Sequence, residues 1–419
     1  MKHIFINILI SIIGVYIGVL IVNPIGNKFG YNTYLQNINI SGMSYEEALL
    51  IEKEVVTLKY GNNFIEIPQT VPIDGILQKI VEDKPTVLQS LLNYVLNINM
   101  IYMPKIMIDE NIILPYIEHM EEIVHQDIRV ASIQVIEDSL QITEHNPLVT
   151  INVDALLEET ISRFEVWDFT VIDVSKYLDI QKPSIDTKTI SQIDTKIISI
   201  KTMVEPDSAE ATNLNVATSK ISNILLMPEE VFDYDKLIGD ITQQQGFVLG
   251  NVRVKEKMID MIGGGIGQLS STLYTAILNL GLNPQERHSN TVAINYIPLG
   301  LDAAFSKDQL NLRFINTLSY PILINSYLED DELTVDIYSN KALENIKYVI
   351  TTDIIETTEP STMYVYNQAQ NNGVVTAGKN GYTVQVTRQQ YIDKEPIGEL
   401  ELISIDKYAM QSNIYNIVH

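Results

Sequence analysis

The longest uninterrupted apolar stretch comes first. Residues 4–22, IFINILISIIGVYIGVLIV, carry no charge and one amide, Asn7. That is about the length an apolar helix needs to cross a bilayer. Lys2 and the terminal amine precede it, which predicts a cytoplasmic N-terminus. The following NPIGNKFGYN offers no small-residue cleavage site. The expectation is an uncleaved signal-anchor over residues 1–25. A cleaved signal and a buried core helix are the alternatives.

Beyond it the pattern breaks into short blocks. Residues 37–40 read as a strand. Ser44-x-x-Glu47 is a capping box that opens a helix to about residue 54. Residues 55–60 and 64–67 are strands around Gly61-Asn62-Asn63, a hairpin signal, and 73–80 and 86–97 have helical spacing. A similar unit recurs loosely: strands 132–136 and 140–143 around Glu137-Asp138-Ser139, a capped helix 152–164, and a strand 169–174. Residues 181–205 read as helix and linker. A helix to about residue 226, a turn at 227–229 and one or two strands in 246–262 follow. Leu269, Leu273, Ala276, Ile277 and Leu280 then predict an amphipathic helix, with Gly281 as its C′ residue. Strands are expected at 291–296, 310–314, 322–328 and 333–338. After residue 341 the apolar residues alternate in period two with Gly and Asn punctuation, which predicts an all-β tail.

The fold class expected is therefore α+β: an N-terminal transmembrane helix, two small α+β modules, a mixed α+β domain and a C-terminal all-β appendage. The boundaries are 1–25, 33–125, 126–205, 213–340 and 345–419. With 419 residues, 46% of them hydrophobic, the chain has enough apolar material for several cores. It contains no cysteine, so thiol chemistry, iron–sulfur clusters and cysteine–zinc sites are excluded and packing must supply the stability. The net charge of −25 argues against nucleic acid and against anionic lipid headgroups. Its plainest role is solubility outside the cytoplasm.

Chemistry concentrates between residues 220 and 340. In MIGGGIGQLSSTLYTAILNLG, residues 261–281, a glycine run feeds a helix start. Amides near Gln268, Leu269 and Ser270 are candidates to hold an anion, with the hydroxyls of Ser270, Ser271 and Thr272 beside them. The structural alternative is a tight turn whose hydroxyls cap the helix. The run fits neither dinucleotide nor P-loop spacing. The second cluster is ERHSN, residues 286–290, where His288 is a candidate base. The third is Asp302, Asp308, Asn311 and Asn316, candidate orienting groups that are also ordinary turn residues. Histidines are few and show no ligand spacing, so no metal and no cofactor is expected.

Taken together, GGGIGQLSSTLYTAILNLGLNPQERHSNTVAINYIPLGLDAAF and LNLRFINTLSYPILI resemble the VanW domain of Gram-positive bacteria over about residues 213–338. Matching positions are Gly263, Gly264, Gly265, Gln268, Ser271, Thr272, Tyr274, Glu286, Arg287, His288, Gly300, Asp302 and Asn316. Gly267 stands where the family pattern has cysteine, Asn290 where it has a second histidine, Leu301 where it has arginine and Asn311 where it has aspartate. Residues 37–178 are similar to peptidoglycan-binding-type modules, and 378–405 distantly to a G5-type β module. A cysteine at a helix start implies a thiolate nucleophile for acyl transfer on cell-wall peptide. This chain lacks it, so the resemblance implies a degenerate active site.

The expected protein is a single-pass membrane protein with its bulk extracellular. It binds peptidoglycan, cell-wall peptide or a wall-assembly partner, without catalysis. The candidate ligand-binding residues are Gly263, Gly264, Gly265, Gly267, Gln268, Ser271, Thr272, Tyr274, Arg287, His288 and Asp302, with Arg287 pairing a ligand carboxylate. One alternative is a cysteine-independent enzyme with Ser270 or Ser271 as nucleophile and His288 as base. The other is a structural scaffold for a protein partner.

Overall fold

The computed structural model describes residues 2–22, 28–35, 38–51, 55–68, 73–83, 86–102, 109–254, 257–366 and 373–417. Residues 23–25 of the expected anchor, Asn37 of the first strand and Glu54 at the expected helix end lie outside them. The chain divides into two compact units, residues 1–129 with 146–183, and residues 130–145 with 184–419.

In the first unit the apolar N-terminal run forms the helix Lys2–Val22. Among the described residues, however, no helix is long and apolar enough to cross a membrane. This corrects the transmembrane helix in the expected fold class.

The capping box forms as the sequence predicts. Glu47 N donates to Ser44 Oγ at 3.1 Å, and Ser44 N donates to Glu47 Oε2 at 2.6 Å. The helix it opens is short, Tyr45–Leu49. The hairpin pairs Val55–Tyr60 with Asn63–Pro68. The helix Glu110–Val124 was not anticipated. It buries Ile113, Ile117, Met120 and Val124, a helical stripe.

The two expected N-terminal modules are not separate. Val56, Leu58 and Ile67 share one core with Ile113, Ile117, Leu156, Phe164, Ile172 and Val174. Ile172–Asp173 also pairs parallel with Val55–Tyr60. The hairpin Ser132–Ile136 and Ser139–Thr143 leaves them altogether. It belongs to the second unit, where Ala131 and Ile133 pack against Ile190, Ile193, Leu323 and Tyr338.

The second unit is built on a four-stranded antiparallel sheet in the order Thr195–Met203, Glu332–Ser339, Ile322–Glu329, Ile224–Leu226. Nearly every residue of Glu332–Ser339 is buried, because both faces are covered. Leu333, Val335 and Ile337 face the core that holds the helices Ala209–Ile221 and Gly267–Asn279. Tyr338 faces the hairpin core instead. Gly267–Asn279 is buried on every side from Gln268 to Leu278, not on one face as its apolar spacing predicts. A helix wrapped all round is an interior helix.

Part of that wrapping comes from the C-terminal β module, with the antiparallel strands Ile346–Thr358, Gly381–Ile392 and Glu395–Tyr408. It is all-β as expected, but it is no appendage, since Val386 sits in the same core as Leu273 and Tyr274. The strand expected at 291–296 does not form; that stretch is irregular.

Candidate functional site

The chain enters the site from the hairpin Leu249–Val254 and Lys257–Ile262. It then turns through the glycine triplet. Gly263 and Gly265 hold φ of 81° and 100°, which a side chain disfavours. Space forbids one as well. An added Cβ would lie 2.3 Å from Ile241 Cγ2 at Gly263, 2.4 Å from the Gly250 carbonyl carbon at Gly264, and 2.8 Å from Glu210 Cβ at Gly265. Asn213, wholly buried, ties the turn down. Its Nδ2 donates to Gly264 O at 2.8 Å and Val248 O at 3.1 Å, and Val248 N donates to its Oδ1 at 2.8 Å. Sequence reasoning missed Asn213. One of two asparagines in a helix of mixed polarity gives no signal until its partners are known.

Gly267 is different in kind. It is the first residue of the helix, and an added Cβ meets no heavy atom within 4 Å. The backbone there asks for no glycine. The position where the family pattern carries cysteine therefore has open space for a side chain.

The amides expected to cradle an anion are already engaged. Gln268 N donates to Gly265 O at 2.9 Å, and Leu269 N and Ser270 N to Ile266 O at 3.1 and 3.4 Å. The helix begins in a tight turn that satisfies its own donors, which corrects the anion-cradle reading of Gly263–Gly265 and Gln268. The hydroxyls do not cap the helix either. Ser270 Oγ donates to Ala303 O at 2.5 Å and Gly267 O at 3.0 Å. Ser271 Oγ donates to Gly267 O at 2.8 Å and accepts from Ala303 N at 3.0 Å. Thr272 Oγ1 donates back to Gln268 O at 2.8 Å. Gln268 Nε2 reaches across to Thr202 Oγ1 at 2.9 Å and Met203 O at 2.8 Å. These polar groups fasten the helix to the edge strand and to the loop at residue 303.

The expected serine–histidine pair is not formed. Ser270 and Ser271 have no exposed surface. The His288 ring, 43% exposed, meets Glu286 Oε1 at 3.3 Å. Arg287 is not free to bind a carboxylate ligand, because its guanidinium, 7% exposed, is engaged on every side. Nε donates to Asp302 O at 2.7 Å, Nη1 to Asp406 Oδ1 at 2.6 Å and Nη2 to Gly300 O at 3.2 Å. The guanidinium also lies 4.7 Å from the Tyr274 ring centroid, a cation–π distance. Burial pulls its pKa down, but Tyr274, Asp406 and Asp302 more than offset that and hold it above its ordinary value.

Asp302 is the centre of this knot. Its Oδ2 accepts from Asn290 N and Nδ2, both at 2.6 Å, and its Oδ1 accepts from Tyr408 OH at 2.5 Å. Burial and Asp302 push the Tyr408 phenol well up. Burial also pushes Tyr296, 3.4 Å from Ser271 Oγ, up to about 12.

The remaining departures are built in. Leu301 is core. Asn311 Oδ1 accepts from Asp235 N at 2.9 Å, and its Nδ2 donates to Asp233 Oδ1 at 2.8 Å. Asn316 Nδ2 closes a turn on Leu226 O and Tyr320 O, and Asp308 is exposed at φ 60°. Among the described residues no His, Asp and Glu cluster fits a metal ion.

Residues 209–338 match the family model described as VanW like protein. These residues form a VanW-like domain, about a third of the chain. It is 27% identical over 165 residues to "Uncharacterized protein YoaR" of Bacillus subtilis (strain 168), covering 39% of this chain and 54% of that one. It is 22% identical over 163 residues to "Vancomycin B-type resistance protein VanW" of Enterococcus faecalis (strain ATCC 700802 / V583), covering 38% of this chain and 59% of that one. The chain thus spans a little over half the length of these two relatives. Two solved G5 structures also match. "IgA1 Protease G5 domain structure" is 18% identical over 18% of this chain and 92% of that one, with a TM-score of 0.13. "Crystal structure of HP0197-G5" is 16% identical over 17% of this chain and 96% of that one, with a TM-score of 0.11. At such TM-scores nothing about the C-terminal module follows from either. The VanW domain as folded exceeds the matched span, since the edge strand Thr195–Met203 supplies both partners of Gln268.

Proposed function

We propose that this is a non-catalytic cell-envelope protein whose VanW domain binds cell-wall peptide at the opening over Gly267. An extracytoplasmic setting is part of the proposal, because peptidoglycan lies there. The observation that carries it is the contrast within the glycine run. Three glycines are required by the fold and the fourth is not, so an opening persists where the family pattern places its reactive group. A nucleophile is missing on two counts. The chain has no thiol, and the nearest hydroxyls are buried and bonded to carbonyls. The cell-wall class of ligand is supported by the resemblance, and by the name of the Enterococcus faecalis relative, which ties that protein to vancomycin resistance.

The experiment is sedimentation of the purified protein with peptidoglycan sacculi, followed by chromatography of the sacculi. The proposal expects co-sedimentation with an unchanged muropeptide profile. Altered muropeptides would overturn the non-catalytic reading, and absence of co-sedimentation would overturn the ligand.

A further inference from the structure

The C-terminal β module touches the VanW domain through buried polar groups rather than apolar ones alone. Asp406 and Tyr408 lie two apart on Glu395–Tyr408, and their side chains face the same way. Asp406 meets Arg287, while Tyr408 OH donates to Asp302 Oδ1 and accepts from Gly300 N at 2.7 Å. Gly300, at φ 87°, lets the Val386 side chain lie where a Cβ would be, 2.4 Å away. From Asp302 the backbone runs directly to Ala303. Ala303 N donates to Ser271 Oγ at 3.0 Å, and Ser271 Oγ donates to Gly267 O at 2.8 Å. The other end of the same helix is held by the same module. Arg388, 4% exposed, donates from Nη1 to Leu278 O at 3.3 Å and Leu282 O at 2.9 Å.

We propose that Tyr408 and Asp406 are positioning residues for the VanW site, acting through Asp302, Ala303 and Ser271 on the Gly267 opening. It follows that the motif residues Arg287 and Asp302 serve as a socket for the chain's own β module, and not as ligand contacts. The inference rests on the reading of Gly267 as the site, but its test needs no wall ligand. Failure of sacculus binding leaves it standing.

The absence of cysteine makes the test clean. In the full chain, Gly267→Cys places a single thiol at a helix start, where its titration and alkylation report the local backbone and dipole. The pH profile of iodoacetamide alkylation is compared in that background with Tyr408→Phe, Asp406→Asn and Lys407→Gln added. Lys407 lies between the two on the same strand and is exposed. The expected result is a change in alkylation rate of about threefold to tenfold for Tyr408→Phe and Asp406→Asn, with circular dichroism intact and Lys407→Gln without effect. Should Tyr408→Phe fail to fold, Ser404→Ala carries the same comparison. It removes only the hydroxyl that donates to Asp406 Oδ2 at 2.9 Å. Unchanged profiles in the folded variants, or an equal change with Lys407→Gln, overturn the proposal.

Discussion

A Cβ at Gly264 would lie 2.4 Å from the Gly250 carbonyl carbon, whereas at Gly267 it meets nothing within 4 Å. The two glycines therefore respond oppositely to alanine. Gly267→Ala replaces a helical glycine without strain and is expected to raise stability by roughly 0.4–1 kcal/mol. Gly264→Ala forces backbone apart and is expected to lose about 1–3 kcal/mol. Urea titration of the two variants reads both signs. Arg287→Ala leaves Asp302 and Asp406 as buried carboxylates without their guanidinium. The expected loss is about 3–5 kcal/mol, seen as a lowered urea midpoint. At this scale the sequence was legible as pattern but not as role. The resemblance picked out Gly267, Arg287, His288 and Asp302. It could not say that Arg287 faces Asp406, because that partner lies 119 residues away. Nor could it say that Gln268, Leu269 and Ser270 hand their amides to the preceding turn.

The elements that were predicted well are those whose signals are local. The capping box at Ser44 and Glu47, the hairpin at Gly61 and the strands Ile322–Glu329 and Glu332–Ser339 each follow from a turn residue or an apolar period of two. The misses are tertiary. Glu110–Val124 carries Pro115 in its interior, and its apolar stripe becomes a core only against Val56 and Leu58. The site helix reads as amphipathic because Ser270, Ser271, Thr272 and Thr275 look like a wet face. All four hydroxyls return to carbonyls three or four residues back, which lets a hydroxyl-rich face be buried. Ser271→Ala should therefore act on structure. Ala303 N loses its acceptor, and the buried orphan costs about 1–3 kcal/mol. Faster amide exchange at Ala303 would report the loss directly.

For the whole molecule the surprise is how the pieces join. A chain that reads as modules in series folds as two units, and the second draws a hairpin from residues 130–145. Its core also admits Val386 of the β module. Buried tyrosines lie along this shared interior, with a consequence at high pH. Burial pushes Tyr234, Tyr274, Tyr296 and Tyr408 upward, Tyr296 to about 12. The folded state holds these protons more tightly than an unfolded chain, whose tyrosines titrate near 10. Their contribution is complete below about pH 10 and is lost as pH rises through the folded values. The urea midpoint should hold steady to about pH 9.5 and then fall, with tyrosinate absorbance rising together with unfolding.

The most direct test of the central claim fills the opening without disturbing the fold. Gly267→Phe and Gly267→Ala are compared with the unmodified protein for binding to peptidoglycan sacculi and for muropeptide release. The account predicts that Gly267→Phe loses binding at least about tenfold, roughly 1.4 kcal/mol, while Gly267→Ala stays within about threefold, roughly 0.65 kcal/mol. All three proteins should melt cooperatively and leave the muropeptides unchanged. Equal binding by a folded Gly267→Phe variant would contradict a site at this opening, and altered muropeptides would contradict a site without catalysis.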